Sequence, residues 1–387
     1  MKILLFGEYS GFHNSLKKGL QALGHEVTII GNGDGFKKFP ADIFIKPTFT
    51  KNNKFLNKIK NAIYKLTKID LASIELYYKF KRIMPLIKEY DAVQLINSIV
   101  LLGSPKVETK ILQHIFKFNK NVYLHGGSME YIWVDFMLNK HNGFSSFTPL
   151  KHNPKLKKKY QYALKYLQPK FISHFNFVYK NIKGIIPSDV DYKIVYDNYP
   201  KGEKMIPAPI CLENLKFNPL KIKGCIIIFC GINTNNQYAK GIPYFLDALK
   251  IIENKYPKIV TIKITRNLPY NEYLKVYNEA HILLDQCLSY DQGYNGREAM
   301  ARGKVVLSGA NEDFKKYYNL TEETMPLIEA KPDVDYLVLK LSELIENPNK
   351  IEEISIRARK FIEKHHDCVS IAKKYIDAWG LAKSLIS

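Results

Sequence analysis

Long apolar runs are missing from this chain of 387 residues. No stretch approaches the roughly 20 apolar residues that cross a bilayer as a helix, so a membrane-spanning protein is not expected. The opening Met1-Lys-Ile-Leu-Leu-Phe-Gly7 has one lysine, a short apolar segment and then polar residues, which reads as a first β-strand rather than a secretory leader. Cysteine is sparse. Cys211, Cys225, Cys230, Cys287 and Cys368 form no Cys-x-x-Cys and no Cys/His pairing with metal-ligand spacing, and fit free thiols in a reducing cytoplasm. The Gly-x-Gly-x-x-Gly fingerprint is absent from the first turn, Gly7-Glu-Tyr-Ser-Gly11, which argues against a dinucleotide-binding oxidoreductase.

Acidic residues are scarce in one half only. Residues 1–200 carry 31 Lys/Arg against 14 Asp/Glu, whereas residues 201–387 carry 27 against 23, so most of the net charge of +21 lies in the first half. A basic half beside a nearly neutral one points to a negatively charged partner that meets the first half. Two segments concentrate this charge. Residues 51–82 hold nine Lys/Arg and two acids around Phe55, Leu56, Ile59, Ala62, Ile63 and Leu66, which recur at helical spacing. Residues 151–170 hold seven lysines and no acid, interleaved with Tyr160, Tyr162 and Tyr166. Both patterns suit an anionic membrane surface, and tyrosines among lysines also suit nucleic acid. The apolar stripe of 51–82 could equally pack on the domain and leave the lysines as a solvated face.

What is present in quantity is alternation of strand and helix. Lys2–Phe6 reads as a strand, Asn14–Leu23 as an amphipathic helix and Glu26–Ile30 as a second strand, a βαβ opening that predicts a parallel sheet. Further strands are expected at Asp91–Ile96, Asn121–Leu124, Lys183–Pro187, Ile226–Gly231 and Val260–Thr265, with a helix at Pro243–Glu253 and two closing helices at Ile351–Glu363 and Val369–Leu385. The length calls for two domains. The proline-rich Met205-Ile-Pro-Ala-Pro-Ile210 opens a linker, giving residues 1–204, a linker 205–223, residues 224–365 and a terminal helix in 366–387. Asp189-Val-Asp191 and Asp333-Val-Asp335 each precede a helix-like run, where aspartate is an ordinary cap, so no metal is assigned to them.

The most informative stretch is Gly293-Tyr-Asn-Gly-Arg-Glu-Ala-Met-Ala-Arg-Gly-Lys-Val-Val-Leu-Ser-Gly309. It reads as loop, short helix, glycine stop and buried strand, with Asn295 as the N-cap and Glu298 three residues on. Such a loop aims a helix N-terminus, with its free N–H groups, at one place, a ready phosphate site. Upstream, Asn278-Glu-Ala-His-Ile-Leu-Leu-Asp285 reads as a helix end feeding a buried strand.

Together these segments resemble the nucleotide-sugar half of a GT-B glycosyltransferase, specifically retaining family 4. Glu298-Ala-Met-Ala-Arg-Gly-Lys-Val-Val306 matches that family's motif except that Val305 replaces its proline. The family's second glutamate, eight positions before Glu298, falls on Tyr290, with Asp291 beside it. The resemblance implies an α/β fold of two Rossmann-like domains with parallel sheets facing across a cleft. It implies sugar transfer from a nucleoside-diphosphate sugar, UDP- or GDP-linked, with retained configuration and with neither metal nor cofactor. On the donor side it implies Lys240 from Lys240-Gly241, Glu298 and the turn Gly293, Tyr294, Asn295, Gly296 and Arg297. Asn233 lies near the family's early basic position, and Arg266 is expected to supply the charge missing there. His125, in His125-Gly-Gly-Ser128, and Asp291 would orient the sugar. Glu8, Ser10 and His13, in the first loop, would face the acceptor. That acceptor is expected to be a glycan or lipid-linked precursor of bacterial surface polysaccharide, reached from the cytoplasm at the inner face of the membrane. The alternatives are a basic nucleic-acid-binding protein, for which no motif is found, and a GT-B scaffold without transfer activity.

Overall fold

The computed structural model describes residues 1–34, 38–48, 54–67 and 69–381. Lys51 and Lys68 of the first basic segment, and the last residues of the expected terminal helix, lie outside these residues; within them that helix stops at Ala378, before Gly380 at φ 72°. Two parallel sheets organise the chain. The first has six strands in the order β3-β2-β1-β4-β5-β6: β1 Lys2–Phe6, β2 Glu26–Gly31, β3 Ile43–Phe44, β4 Ala92–Leu95, β5 Val122–Gly126 and β6 Ile185–Pro187. The second has five in the order β11-β10-β9-β7-β8: β7 Ile226–Ile232, β8 Val260–Arg266, β9 Ile282–Leu284, β10 Val305–Ser308 and β11 Ile328–Glu329.

The central strands read as unbroken apolar runs because helices cover both faces of each sheet. In the first sheet, Leu4, Phe6, Val93 and Leu124 pack to one side, and Ile3, Leu5, Ile29 and Ala92 to the other. The second sheet divides in the same way, with Ile228, Cys230, Leu284 and Leu307 on one face and Phe229, Leu283 and Val306 on the other. The last helix, Cys368–Ala378, follows the second sheet in sequence but buries Ile371, Ala372 and Tyr375 against the first. Beyond it, Trp379 donates its indole N–H to Gln94 of β4 at 3.1 Å.

Element positions follow the expectations closely, with shifts at the ends. The helix expected from Asn14 begins at Phe12, because the Glu8 carboxylate accepts the N–H groups of Gly11 (3.0 Å) and Asn14 (2.8 Å) and caps it from outside. Asp189 and Asp333 are caps, accepting from Tyr192 and Tyr336 N–H. The tyrosines of 151–170 do not form an interfacial belt. Tyr160 and Tyr166 are buried with Trp133 and Phe147, and the Tyr160 hydroxyl donates to the Ser146 carbonyl. Their apolar rings fill a small helical layer while most of the lysines stay outside.

Three buried glutamates tie the loops at the C-terminal edge of the first sheet. Besides Glu8, Glu108 accepts the N–H groups of Leu101 (3.0 Å) and Gly103 (2.7 Å), and Glu130 accepts the N–H and hydroxyl of Ser98. Burial outweighs these hydrogen bonds and pushes all three carboxyls up to about 7. The unfolded chain releases such a proton near pH 4, the folded chain only near pH 7. Each group therefore lowers stability progressively as pH climbs between those values and adds nothing further above. Buried His13, held down to about 4 by desolvation, pulls the other way below pH 6.5. The informative comparison is therefore a variant against the wild type. Glu108→Gln is expected to be less stable than wild type at pH 5, with the deficit shrinking by on the order of 2 kcal/mol by pH 8. Urea unfolding at both pH values checks this; a pH-independent difference would contradict it.

Candidate donor and sugar site

The C-terminal edges of the two sheets face one another across a cavity of about 330 Å³. The second sheet supplies Asn236, Lys240, Gln286, Gln292, Gly293, Tyr294 and Arg297 to its wall. The first supplies Tyr9, Ser10, Phe12, His125, Ser188, Asp189 and Asp191, with Trp133 and Tyr162 from the helical layer. Ligands of open α/β sheets bind at such an edge.

Lys240 ends the loop after β7. Gly241, at φ 73°, turns that loop into the helix Ile242–Lys255, and a Cβ there would lie 2.3 Å from the Cys287 sulfur. The turn brings Lys240 Nζ to 2.8 Å from Asp285 Oδ1, just past the end of β9. Asp285 is fully buried, and its other oxygen accepts the Gly293 N–H at 2.9 Å and the Ser308 hydroxyl at 3.1 Å. Burial alone would raise this carboxyl, but the Lys240 charge and the three hydrogen bonds prevail and hold it below the usual range. A carboxylate is thus the point at which the ammonium and the helix-start amide converge. Gly296 permits this approach, since a Cβ there would stand 2.8 Å from Asp285 Oδ2.

The helix runs Tyr294–Ala301, with Gly293 as its N-cap and no capping side chain. Asn295 is therefore not the cap. It lies in the first turn and accepts the Tyr273 hydroxyl at 3.0 Å. The Asp285 bond to Gly293 starts the helix two residues earlier than the local sequence suggests.

Other expected site residues divide clearly. His125 lines the cavity, buried against Phe12 with ring centroids 4.0 Å apart, and its Nδ1 has no partner. Desolvation, then the nearby His13 and Arg297 charges, keep its imidazole neutral, so it can share hydrogen bonds without carrying charge. Ser10 also lines the cavity. Glu8 and His13 do not. Glu8 is spent on its helix cap, and His13 Nδ1 is bound to the Gly7 carbonyl at 2.7 Å. Asn233 closes its own turn by accepting the Asn235 N–H, and Asn236 reaches the cavity in its place. Arg266, exposed at the end of β8, lines a separate depression with Lys250. Glu298 is half-buried outside the cavity wall, with Arg302 at 3.9 Å.

Asp291 is also turned away. It is buried and absent from the wall, accepting from Arg297 Nη2 (3.0 Å), Val190 N–H (3.1 Å) and Gln292 N–H (2.7 Å). The cause lies across the cleft. Asp191 accepts the N–H groups of Tyr290 and Asp291 and fixes the loop so that Asp291 points to Arg297. Tyr290 does not replace the missing glutamate chemically. Its hydroxyl donates to the Phe144 carbonyl (2.6 Å) and meets His141 Nε2 (2.7 Å) in the opposite lobe. Tyr294 crosses as well, its hydroxyl bonding Ser15 and the Pro209 carbonyl, both at 2.7 Å. Among the described residues, no group of three or more His, Cys, Asp or Glu is placed to hold a metal ion.

The architecture is that of the GT-B glycosyltransferases. Residues 238–377 match the family model described as glycosyl transferase-like. The whole chain is similar in structure to sucrose-phosphate synthase from Thermosynechococcus elongatus, with a TM-score of 0.60 at 13% identity over 100% of each chain. It is also similar to Anabaena HepE in complex with UDP and glucose, with a TM-score of 0.57 at 12% identity over 98% of this chain and 99% of that one. S. aureus TarM, in a complex containing UDP and α-GlcNAc-glycerol, is similar over 80% of this chain and 59% of its own, with a TM-score of 0.51 at 14% identity. No curated protein sequence matches the chain.

Removing Lys240 strands a buried carboxylate. Lys240→Met is expected to lower unfolding stability by about 2–3 kcal/mol, less than for a wholly buried pair because the lysine is partly solvated. Asp285→Asn added to Lys240→Met should recover part of that loss, as a double-mutant cycle by chemical denaturation would show.

Proposed function

We propose that this protein transfers a sugar from a nucleoside-diphosphate sugar, UDP- or GDP-linked, to a glycan or lipid-linked acceptor of surface polysaccharide synthesis. The observation that carries this reading is the convergence of Lys240 and the Gly293 amide, both on the cavity wall, on the buried carboxylate of Asp285. Charge develops on the β-phosphate as the sugar–oxygen bond breaks. A cation and helix N–H groups aimed at one place stabilise that charge most where water is excluded. Asp285 aims the lysine and holds the loop; the diphosphate would take the solvent-facing side of Lys240 and the free amides of the first helical turn. Glu298 would accept ribose hydroxyls outside the cavity, and neutral His125 would bond the sugar. The reading includes retention of configuration without a metal or a dedicated protein base, the leaving phosphate taking the acceptor proton.

The acceptor's location is part of the same proposal. No helix among the described residues is long and apolar enough to cross a membrane. The first lobe nevertheless exposes Ile59, Leu66, Ile74, Tyr78 and Leu86 on and after the helices Lys54–Thr67 and Leu71–Ile83, together with Lys65, Lys81 and Arg82. Leu66 is 85% exposed, so this part of the apolar stripe is not absorbed by the domain core. Apolar side chains among cations suit an anionic lipid surface, where each Lys or Arg contributes about 1 kcal/mol.

A thermal-shift panel of nucleoside diphosphates and their sugars tests the donor reading. One nucleoside diphosphate should stabilise the protein by about 2–3 kcal/mol at a hundredfold excess over its Kd. Glu298→Ala should weaken that binding roughly tenfold through the loss of one charged hydrogen bond. No shift with any member of the panel would remove the proposal. Separately, cosedimentation with phosphatidylcholine vesicles should appear only when phosphatidylglycerol is included, and should fall with added salt and in Ile59→Asp/Leu66→Asp. Equal binding to both vesicle types would contradict the membrane part alone.

A further inference from the structure

Three aspartates meet at the interface of the lobes, Asp189 and Asp191 from the first and Asp291 from the second, and Arg297 pairs with Asp189 and Asp291. Their lone pairs are unequally engaged. Asp291 accepts from Arg297 and two amides and is absent from the cavity wall. Asp191 is taken up by the amides of Tyr290 and Asp291. Asp189 has the Tyr192 N–H at 3.3 Å on Oδ1, the Asp191 amide close by and a distant Arg297 Nη2 at 3.9 Å from Oδ2, and it lies on the cavity wall. A carboxylate has about four acceptor positions, so part of the capacity of Asp189 remains open on that wall.

Two neighbours point to a ligand there. His125 Nδ1 and Gln292 Oε1 are unpartnered atoms of side chains at least nine-tenths buried, and both residues line the same cavity. The sheet register explains the grouping. Gly126 pairs with Pro187 across β5 and β6, so His125 and the Ser188-Asp189 turn leave neighbouring strands at the same edge. A Cβ on Gly127 would lie 2.1 Å from His125 Nε2 and 2.5 Å from the Ser188 hydroxyl, which shows how tightly these groups crowd that edge. Acceptors and donors crowded beside the aromatic rings of Trp133 and Tyr192 are the chemistry that binds a polyhydroxylated ring.

We propose that Asp189 is a specificity-determining residue that accepts hydrogen bonds from hydroxyls of the transferring sugar, so that the first lobe supplies the carboxylate that position 290 of the second lobe does not. This rests on the donor reading above. Asp189 differs from Asp291 and Glu298 in lying on the cavity wall. A site built to accept sugar hydroxyls discriminates strongly against an analogue lacking one, because the buried acceptor is then left unpaired.

The test uses the full chain and Asp189→Asn, which keeps the helix cap, with Asp189→Ser as a second capping variant. Three quantities are read: Kd for the nucleoside diphosphate alone, KM and kcat for hydrolysis of its sugar conjugate without acceptor, and the ratio of kcat/KM between that sugar and its deoxy analogues. The expected result is unchanged nucleoside-diphosphate affinity, a 10-fold or greater loss of kcat/KM for the sugar conjugate and a collapse of the preference over one deoxy analogue. Unchanged hydrolysis and unchanged preference would overturn the proposal. So would a loss seen only in the KM of an added acceptor. Failure of the wild type to bind any nucleoside diphosphate would sink the donor reading instead, a separate outcome of the first measurement. Equal loss of nucleoside-diphosphate binding in both variants would show Asp189 to be structural and would also overturn it.

Discussion

The buried carboxylate of Asp285 is the constraint on which the donor half of the cleft depends. It sits at the end of the middle strand of the second sheet, with no water to solvate it, and must be neutralised by what surrounds it. The groups that do so come from three separate elements: the loop after β7 through Lys240, the start of the helix Tyr294–Ala301 through Gly293, and the end of β10 through Ser308. Satisfying one charge therefore places a cation and a helix N-terminus side by side. Lys240 and Gly293 both line the cavity.

Polar bonds accompany the apolar contacts that join the lobes at this edge. Asp191 of the first lobe accepts amides of the second, Asp291 of the second accepts the Val190 amide of the first, and the Tyr290 and Tyr294 hydroxyls cross the cleft. Each bond needs its partner at a defined distance, which fixes register between the lobes more sharply than apolar contact does. Arg297 lies in the middle of this net and compensates carboxylates from both sides. Positions 290 and 291, where the resemblance to retaining family 4 places or nearly places an acid, are used here for bonds across and within the interface. Asp189 and Asp191 of the first lobe line the cavity instead.

Much of the fold was legible because it rests on local pattern. Continuous apolar runs such as Lys2–Phe6 and Ile226–Ile232 can be buried on both faces only in a parallel sheet covered by helices. Gly303, at φ 80°, ended its helix where the glycine stop was expected. Lys240 was legible from Lys240-Gly241. Asp285 stood in view at the C-terminal end of a strand, where ligands of such sheets bind, but a lone aspartate there carries no signal until its partners are known. Asn295 was misplaced because the cap that starts its helix comes from eight residues upstream of Gly293 rather than from the turn itself.

What the sequence determined by itself is the architecture and the order of elements in the second sheet's half of the cleft. Strand runs, helix stops and the Gly293–Gly309 stretch depend on interactions among neighbours in the chain, and neighbours can be read. The tertiary structure alone decided which carboxylates line the cavity. Asp189, Asp191 and Asp291 are chemically identical, and Asp189 and Asp291 are separated by 102 positions in the chain. Only the approach of amides and one guanidinium across the cleft turns Asp291 inward and leaves Asp189 and Asp191 on the cavity wall.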